Sequence, residues 1–152
     1  MPGARTGLNI LPQLDNICGR MRAGGFCTTI PAGSGLRTIG DQIQKYAQGR
    51  SLADLQAALD QAVNEHFITT EKRTQWVNFF DPAHGAHPMP AGPVVTWTLH
   101  SRHISGDAAD VVHCTAGWGA PAAFWTALNA AANAEGLQIG PPATDLAHVQ
   151  LP

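Results

Sequence analysis

His100-Ser101-Arg102-His103-Ile104-Ser105-Gly106-Asp107-Ala108-Ala109-Asp110-Val111-Val112 sets imidazole, hydroxyl, guanidinium and carboxylate groups within a few residues of one another and then runs into apolar sequence. A buried polar or ionised group costs free energy unless it is paired or bound to a metal, so this density of polar chemistry beside a buried-looking strand points to a built site. Val111 and Val112 favour a strand with Asp110 at its start. Gly106 lets the chain turn with positive φ, so that His103 before the turn and Asp110 after it address one shared point, and Ala108 leaves room beside that point. An imidazole nitrogen and a carboxylate oxygen are an ordinary pair of zinc ligands, but a catalytic zinc takes a third protein ligand and keeps an open position. Taken singly, His103 reads equally as a hydrogen-bonded histidine at a strand end, and Asp110 as a turn or cap residue.

Outward from this stretch, 152 residues suit one domain, 1–152, with one sizeable core. Charged residues make up 13% of the chain and the formal net charge is -2, so there is no broad basic field to hold nucleic acid or an anionic membrane surface. No apolar run reaches transmembrane length, and Met1-Pro2-Gly3-Ala4-Arg5-Thr6-Gly7 lacks the apolar core of a signal peptide, so synthesis and retention in the cytosol are expected. Cys18, Cys27 and Cys114 are odd in number and lack CxxC spacing. They read as reduced, mostly buried thiols rather than a disulfide framework or a zinc site.

Helical spacing of Ile10, Leu14, Ile17, Cys18 and Met21 predicts a first helix ending near Gly24-Gly25, and Phe26-Cys27-Thr28-Thr29-Ile30 predicts a short strand that Pro31-Ala32-Gly33-Ser34-Gly35 breaks. Thr38 caps a second helix with Asp41, and Ser51 caps a third with Asp54, whose apolar side runs from Leu52 to Val63 and ends on His66 as a core-edge residue. A helical piece around Trp76, Phe79 and Phe80 precedes a loop at residues 81–90. Its His84 and His87 form a rival metal pair in irregular backbone and read instead as exposed or substrate-flanking. The β-branched run Val94-Val95-Thr96-Trp97-Thr98-Leu99 predicts a strand feeding the His103 turn, with a second strand at residues 109–113. His100 and His113 flank these strands in supporting or surface roles. Pro121 at the N1 position opens a helix bearing Phe124, Trp125, Leu128, Ala131 and Ala132, which ends before Gly136 and covers the sheet. The order of elements predicts an α+β domain with helices packed on a small antiparallel sheet.

Ser101, His103, Gly106, Ala108 and Asp110 together fit S-x-H-x-x-G-x-A-x-D. This pattern resembles the metal-binding signature of the zinc D-alanyl-D-alanine carboxypeptidase and L-alanyl-D-glutamate endopeptidase family, which includes many phage endolysins. Gly35-Leu36-Arg37-Thr38, followed by Gln42, Tyr46, Gln48, Gly49 and Arg50, is similar to that family's G-x-R-[ST] and Q-x-x-x-Y-x-Q-G-R segments. Gly136-Leu137-Gln138-Ile139-Gly140 and then Asp145-Leu146-Ala147-His148 are similar to its closing G-L-x-x-G and D-x-x-H. The resemblance spans the chain from about Leu11 to Leu151. It departs at Val149, where an aromatic residue is usual, and at Pro141-Pro142, where the family is rich in Gly and Trp. Both departures bear on substrate fit, since neither position supplies a ligand.

The resemblance implies a hedgehog/DD-peptidase-like α+β fold with Zn²⁺ held by His103, Asp110 and His148. It implies Asp145 as general base, close to the metal without coordinating it. By the same similarity Arg37 binds a peptide carbonyl and the oxyanion that develops from it, and Ser101 holds substrate or orients the metal shell. The implied activity is zinc-dependent hydrolysis of a peptide bond in the bacterial peptidoglycan stem by a monomeric, phage-type endolysin, kept in the host cytoplasm until release to the wall. A catalytically silent murein-binding or structural virion module of the same fold is the alternative, and an export-coupled carboxypeptidase is a third reading that the missing signal peptide disfavours. The bond cleaved, whether L-Ala-D-Glu, D-Ala-D-Ala or a cross-bridge, depends on pocket shape.

Overall fold

Apolar residues gather into two separate cores, and the chain accordingly divides into two compact units in the computed structural model, which describes residues 7–84, 87–141 and 143–152. The first unit comprises the described residues up to Arg37 together with Arg102–Pro152, and the second is Thr38–Ser101. Residues 1–6, Gly85-Ala86 of the histidine-bearing loop and Pro142 lie outside the described residues. Helices with two small antiparallel sheets make the architecture α+β. No helix among the described residues is long and apolar enough to cross a membrane.

In the first unit, α1 (Leu11–Ala23) buries Leu14, Ile17, Cys18 and Met21 along one side, and α6 (Ala122–Ala134) buries Phe124, Leu128, Ala131 and Ala132. Pro121 is the N-cap of α6 rather than its first helical residue, a shift of one position that leaves its fixed φ at the helix start. These faces enclose a core with Ile10, Ile30, Ala109, Val111 and Val149. Its strands are β1 (Thr28–Thr29), β2 (Ala108–Asp110), β3 (Val112–His113), β4 (Gln138–Ile139) and β5 (His148–Gln150).

They form two sheets, not the single expected one: β1 pairs with β3, while β5 lies between β2 and β4. The expected strand at residues 109–113 is therefore divided. Val111 donates its N–H to the Ala147 carbonyl, and the chain passes from one sheet to the other there. The turn ahead of β2 is a short helix, α5 (Arg102–Ser105), followed by Gly106 at φ 81°. A Cβ at Gly106 would stand 3.0 Å from the Gly7 carbonyl oxygen, so the close pass of these two segments needs glycine.

The thiol reading is corrected by this pairing. Register Thr28↔His113 carries Cys27 and Cys114 opposite each other at a Cα separation of 5.6 Å, and they are joined in a disulfide, whereas Cys18 stays free and buried. Strand pairing across 87 residues brought them together, which spacing along the chain does not reveal.

The second unit is built on α2 (Ile39–Ala47), α3 (Leu52–Asn64) and α4 (Thr70–Phe80). Thr38 and Asp41 complete the expected capping box, and Ser51 accepts the Asp54 N–H. His66 lies past the end of α3 at φ 57°, exposed rather than at a core edge. Residues 94–99 are not a strand. Arg50 donates Nη2 to the Thr96 carbonyl at 2.9 Å, Gln42 donates Nε2 to the Thr98 carbonyl at 2.7 Å, and Gln48 donates to the Pro93 carbonyl at 3.0 Å. Side chains thus satisfy backbone groups that a neighbouring strand would otherwise take, which overrides the β-branched propensity. Gly49, at φ 75°, belongs to the same arrangement: a Cβ there would stand 2.8 Å from the Gly92 carbonyl oxygen.

Candidate metal centre

The antiparallel register of β2 and β5 sets Ala108 opposite Gln150, Ala109 opposite Val149 and Asp110 opposite His148. Side chains alternate along a strand, so Ala109 and Val149 enter the core while Asp110 and His148 share the other face. His103, on α5, closes the group. His103 Nε2 lies 3.2 Å from His148 Nδ1 and 3.4 Å from Asp110 Oδ1, and His148 Nδ1 lies 3.2 Å from Asp110 Oδ1. All three residues are buried, and among the described residues they are the group whose ligand atoms converge as a metal site requires.

The outer contacts decide which way the imidazoles point their lone pairs. His103 Nδ1 is 2.9 Å from the Gly35 carbonyl oxygen, which only accepts, so Nδ1 carries the proton and Nε2 faces inward as a lone pair. His148 Nε2 is 2.9 Å from Gln150 Oε1, so in the neutral ring its Nδ1 likewise faces inward as the lone pair. Two imidazole lone pairs and a carboxylate oxygen then meet, and such a trio requires positive charge between them. The donor set fits zinc: ligands at ordinary Zn–N and Zn–O lengths in a tetrahedron stand about 3.3 Å apart, and the three separations here are 3.2, 3.2 and 3.4 Å.

The charges around the trio act on one another. Burial alone would raise the Asp110 carboxyl, but its bonds to His103 and His148, with the charges of His103 and Arg37, hold it well below the usual carboxylate range. Burial disfavours charge on His148, yet its contacts with Asp110 and Gln150 and the charges of Asp110 and Asp145 outweigh this and raise its pKa. Asp145, half-buried in the turn before β5, is shifted up by burial and by the negative charge of Asp110, with His148 and His103 opposing. Its carboxyl therefore shares the electrostatic field of the trio.

Arg37 is buried, with Nη2 3.2 Å from Asp110 Oδ2 and Nε 2.6 Å from the Gly33 carbonyl oxygen. Its guanidinium thus holds the Asp110 oxygen opposite the one that faces the histidines. Ser101 is half-buried and ends the second unit, one residue before α5. His84 and His87 are exposed. His84 contacts Asp81 at 3.3 Å and His87 stacks on Phe79 at 3.9 Å, and neither joins a ligand group among the described residues. His100 pairs with Glu65 at 2.8 Å, and His113 Nδ1 accepts from the Thr115 and Ala116 N–H groups.

Two parts of the site escaped sequence reasoning. Residues 33–35, expected only to break a strand, supply three successive carbonyls: Gly33 to Arg37, Ser34 to the Asp110 N–H at 2.8 Å, and Gly35 to His103. Loop backbone carries no residue-type signal, so nothing in the letters marks this role. Gln150 had one available signal, its position two residues after His148 on a strand, which puts both side chains on one face. Val149, where the sequence departs from the family pattern, lies on the opposite, core-facing side.

No family model matches the chain, and no curated protein matches it. Among solved structures it is similar to a mutant of the vancomycin-resistance D,D-pentapeptidase VanY from a VanB-type resistance cassette, in complex with Zn(II). That alignment has a TM-score of 0.47 and 16% identity, and it covers 98% of this chain and 76% of the other.

Proposed function

We propose that this chain is a zinc-dependent peptidase that hydrolyses a peptide bond in the bacterial peptidoglycan stem, acting as a phage-type endolysin. The observation that carries the reading is the inward convergence of three buried acceptors, His103 Nε2, His148 Nδ1 and Asp110 Oδ1, whose outer partners keep both imidazoles in the metal-binding tautomer. The signature residues from Ser101 to Asp110 and the closing Asp145 to His148 supply the substrate class through their resemblance to murein peptidases.

His103, His148 and Asp110 would hold the Zn²⁺. Zinc bound there supplies a Lewis acid that polarises the scissile carbonyl and acidifies water. Asp145 accepts the proton of the attacking water and returns it to the leaving amine nitrogen, a task that its burial and raised pKa suit. Arg37 keeps Asp110 oriented and offers positive charge to the oxyanion that forms at the carbonyl. Ser101 contacts substrate. The chain stays in the host cytoplasm until release, and the Cys27–Cys114 disulfide suits the more oxidising surroundings of the wall.

Mass spectrometry of fragments released from purified peptidoglycan, run beside metal analysis of the same preparation, tests the reading. Expected are one zinc per chain and stem peptides cut at a single bond. Zinc binding with intact stem peptides would reduce the protein to a silent murein-binding module.

A further inference from the structure

Residues 94–99 are held in an irregular path by Arg50, Gln42 and Gln48, and that path presents the Trp97 indole to solvent with 61% of its surface exposed. Burying Thr96 and Leu99 while displaying a tryptophan is a costly arrangement, since an exposed indole forgoes a large hydrophobic gain. Trp97 stands at a cavity of about 210 Å³ whose lining includes Gln61, Glu65, Thr98 and His100. We propose that this cavity binds an N-acetylated sugar ring of the peptidoglycan glycan strand, with Trp97 as its stacking platform. The proposal rests on the peptidoglycan reading above and adds a contact with the glycan part of the polymer.

The polar groups of the cavity are oriented in advance. Glu65 accepts Gln61 Nε2 at 2.8 Å with one carboxylate oxygen and His100 Nε2 at 2.8 Å with the other. The His100 ring is further fixed by stacking on Phe67 at 3.9 Å. Glu65 and Gln61 thereby line the cavity with carboxylate and amide oxygens, which accept hydrogen bonds. An acceptor-rich wall beside an aromatic plate matches a ligand with an apolar ring face and many hydroxyl and amide donors, which describes an N-acetylhexosamine.

The test uses the full chain as purified, with the β-1,4-linked trimer of N-acetylglucosamine as probe. Titration is followed on the indole N–H resonance of Trp97, assigned by its loss in Trp97→Phe. Expected are shifts of that resonance and of the Gln61 amide, and a loss of affinity of about tenfold or more in Trp97→Ala. Trp118→Ala, which removes another exposed indole, is expected to leave the affinity unchanged. The proposal is overturned if the trimer does not bind, if Trp97→Ala binds it as well as the parent, or if a free stem peptide moves the Trp97 resonance and the trimer does not. Because the trimer holds no peptide bond, its binding is read independently of hydrolysis: stem peptides left intact by the zinc-loaded chain would refute the peptidase and leave this site standing.

Discussion

The trio His103, Asp110 and His148 and the histidines of the loop at residues 81–90 offer the same ligand chemistry, yet among the described residues the trio converges and the loop histidines do not. The difference lies in what stands behind each ring. His103 and His148 are buried, and each spends its outer nitrogen on an oxygen that fixes the tautomer, while the β2–β5 register sets Asp110 opposite His148. His84, at the end of a short 3-10 helix (Pro82–His84), and His87 are exposed, and their rings are taken up by Asp81 and Phe79. Residue type nominates a ligand, but register and an outer hydrogen bond qualify it.

The largest effect that would break this comparison is loss of the metal. His103→Ala or His148→Ala removes one of three protein ligands and is expected to abolish stoichiometric zinc binding, measured by atomic emission. The double change of His84 and His87 to Ala is expected to leave it intact, and equal loss in both would erase the distinction. Next is Asp145→Asn, which preserves shape but cannot accept a proton. It is expected to retain zinc and lose about 10²–10⁴-fold in turnover, read as release of new amino groups from peptidoglycan. Loss of its zinc would make Asp145 a ligand.

Arg37→Ala is expected to lower kcat by about 10²–10³-fold. It also leaves the Asp110 carboxylate buried without its guanidinium, so a stability loss of about 3–5 kcal/mol in denaturant unfolding is expected alongside. Unchanged stability would mean that the Arg37–Asp110 pair does not hold the trio. Smaller still is Gln150→Leu, which removes the acceptor of His148 Nε2–H. Zinc affinity is expected to fall by about 10–100-fold in competition with a chelator.

The last effect is one of pH. The folded pKa of His148 is raised, so in the metal-free protein its contacts stabilise the fold fully below the unfolded imidazole value of about 6.5 and lose that contribution as pH rises through the folded value. Zinc must displace the proton from this nitrogen. The gain in Tm on adding zinc is therefore expected to shrink as pH falls through that range, and a gain independent of pH would place the ion away from His148.

Helix positions and caps were legible in the letters because they depend on neighbours three or four residues away: Thr38 with Asp41, Ser51 with Asp54, and the apolar face of α1 ending at Gly24-Gly25. The residues of the trio were legible as well, since small residues around Gly106 bring His103 and Asp110 close along the chain, and a pattern resemblance added His148. What only tertiary structure decided was every pairing across long separations. Residues 94–99 had the composition of a strand, but Arg50 and Gln42 took up the Thr96 and Thr98 carbonyls first, and Gln48 took that of Pro93 just before them. Cys27 met Cys114 because β1 pairs with β3. The carbonyls of Gly33, Ser34 and Gly35 and the amide of Gln150 acquired their roles from where the backbone passes the trio. Local geometry is written in local sequence, whereas a partner tens of residues away is chosen by which surfaces bury together and which backbone groups remain to be satisfied.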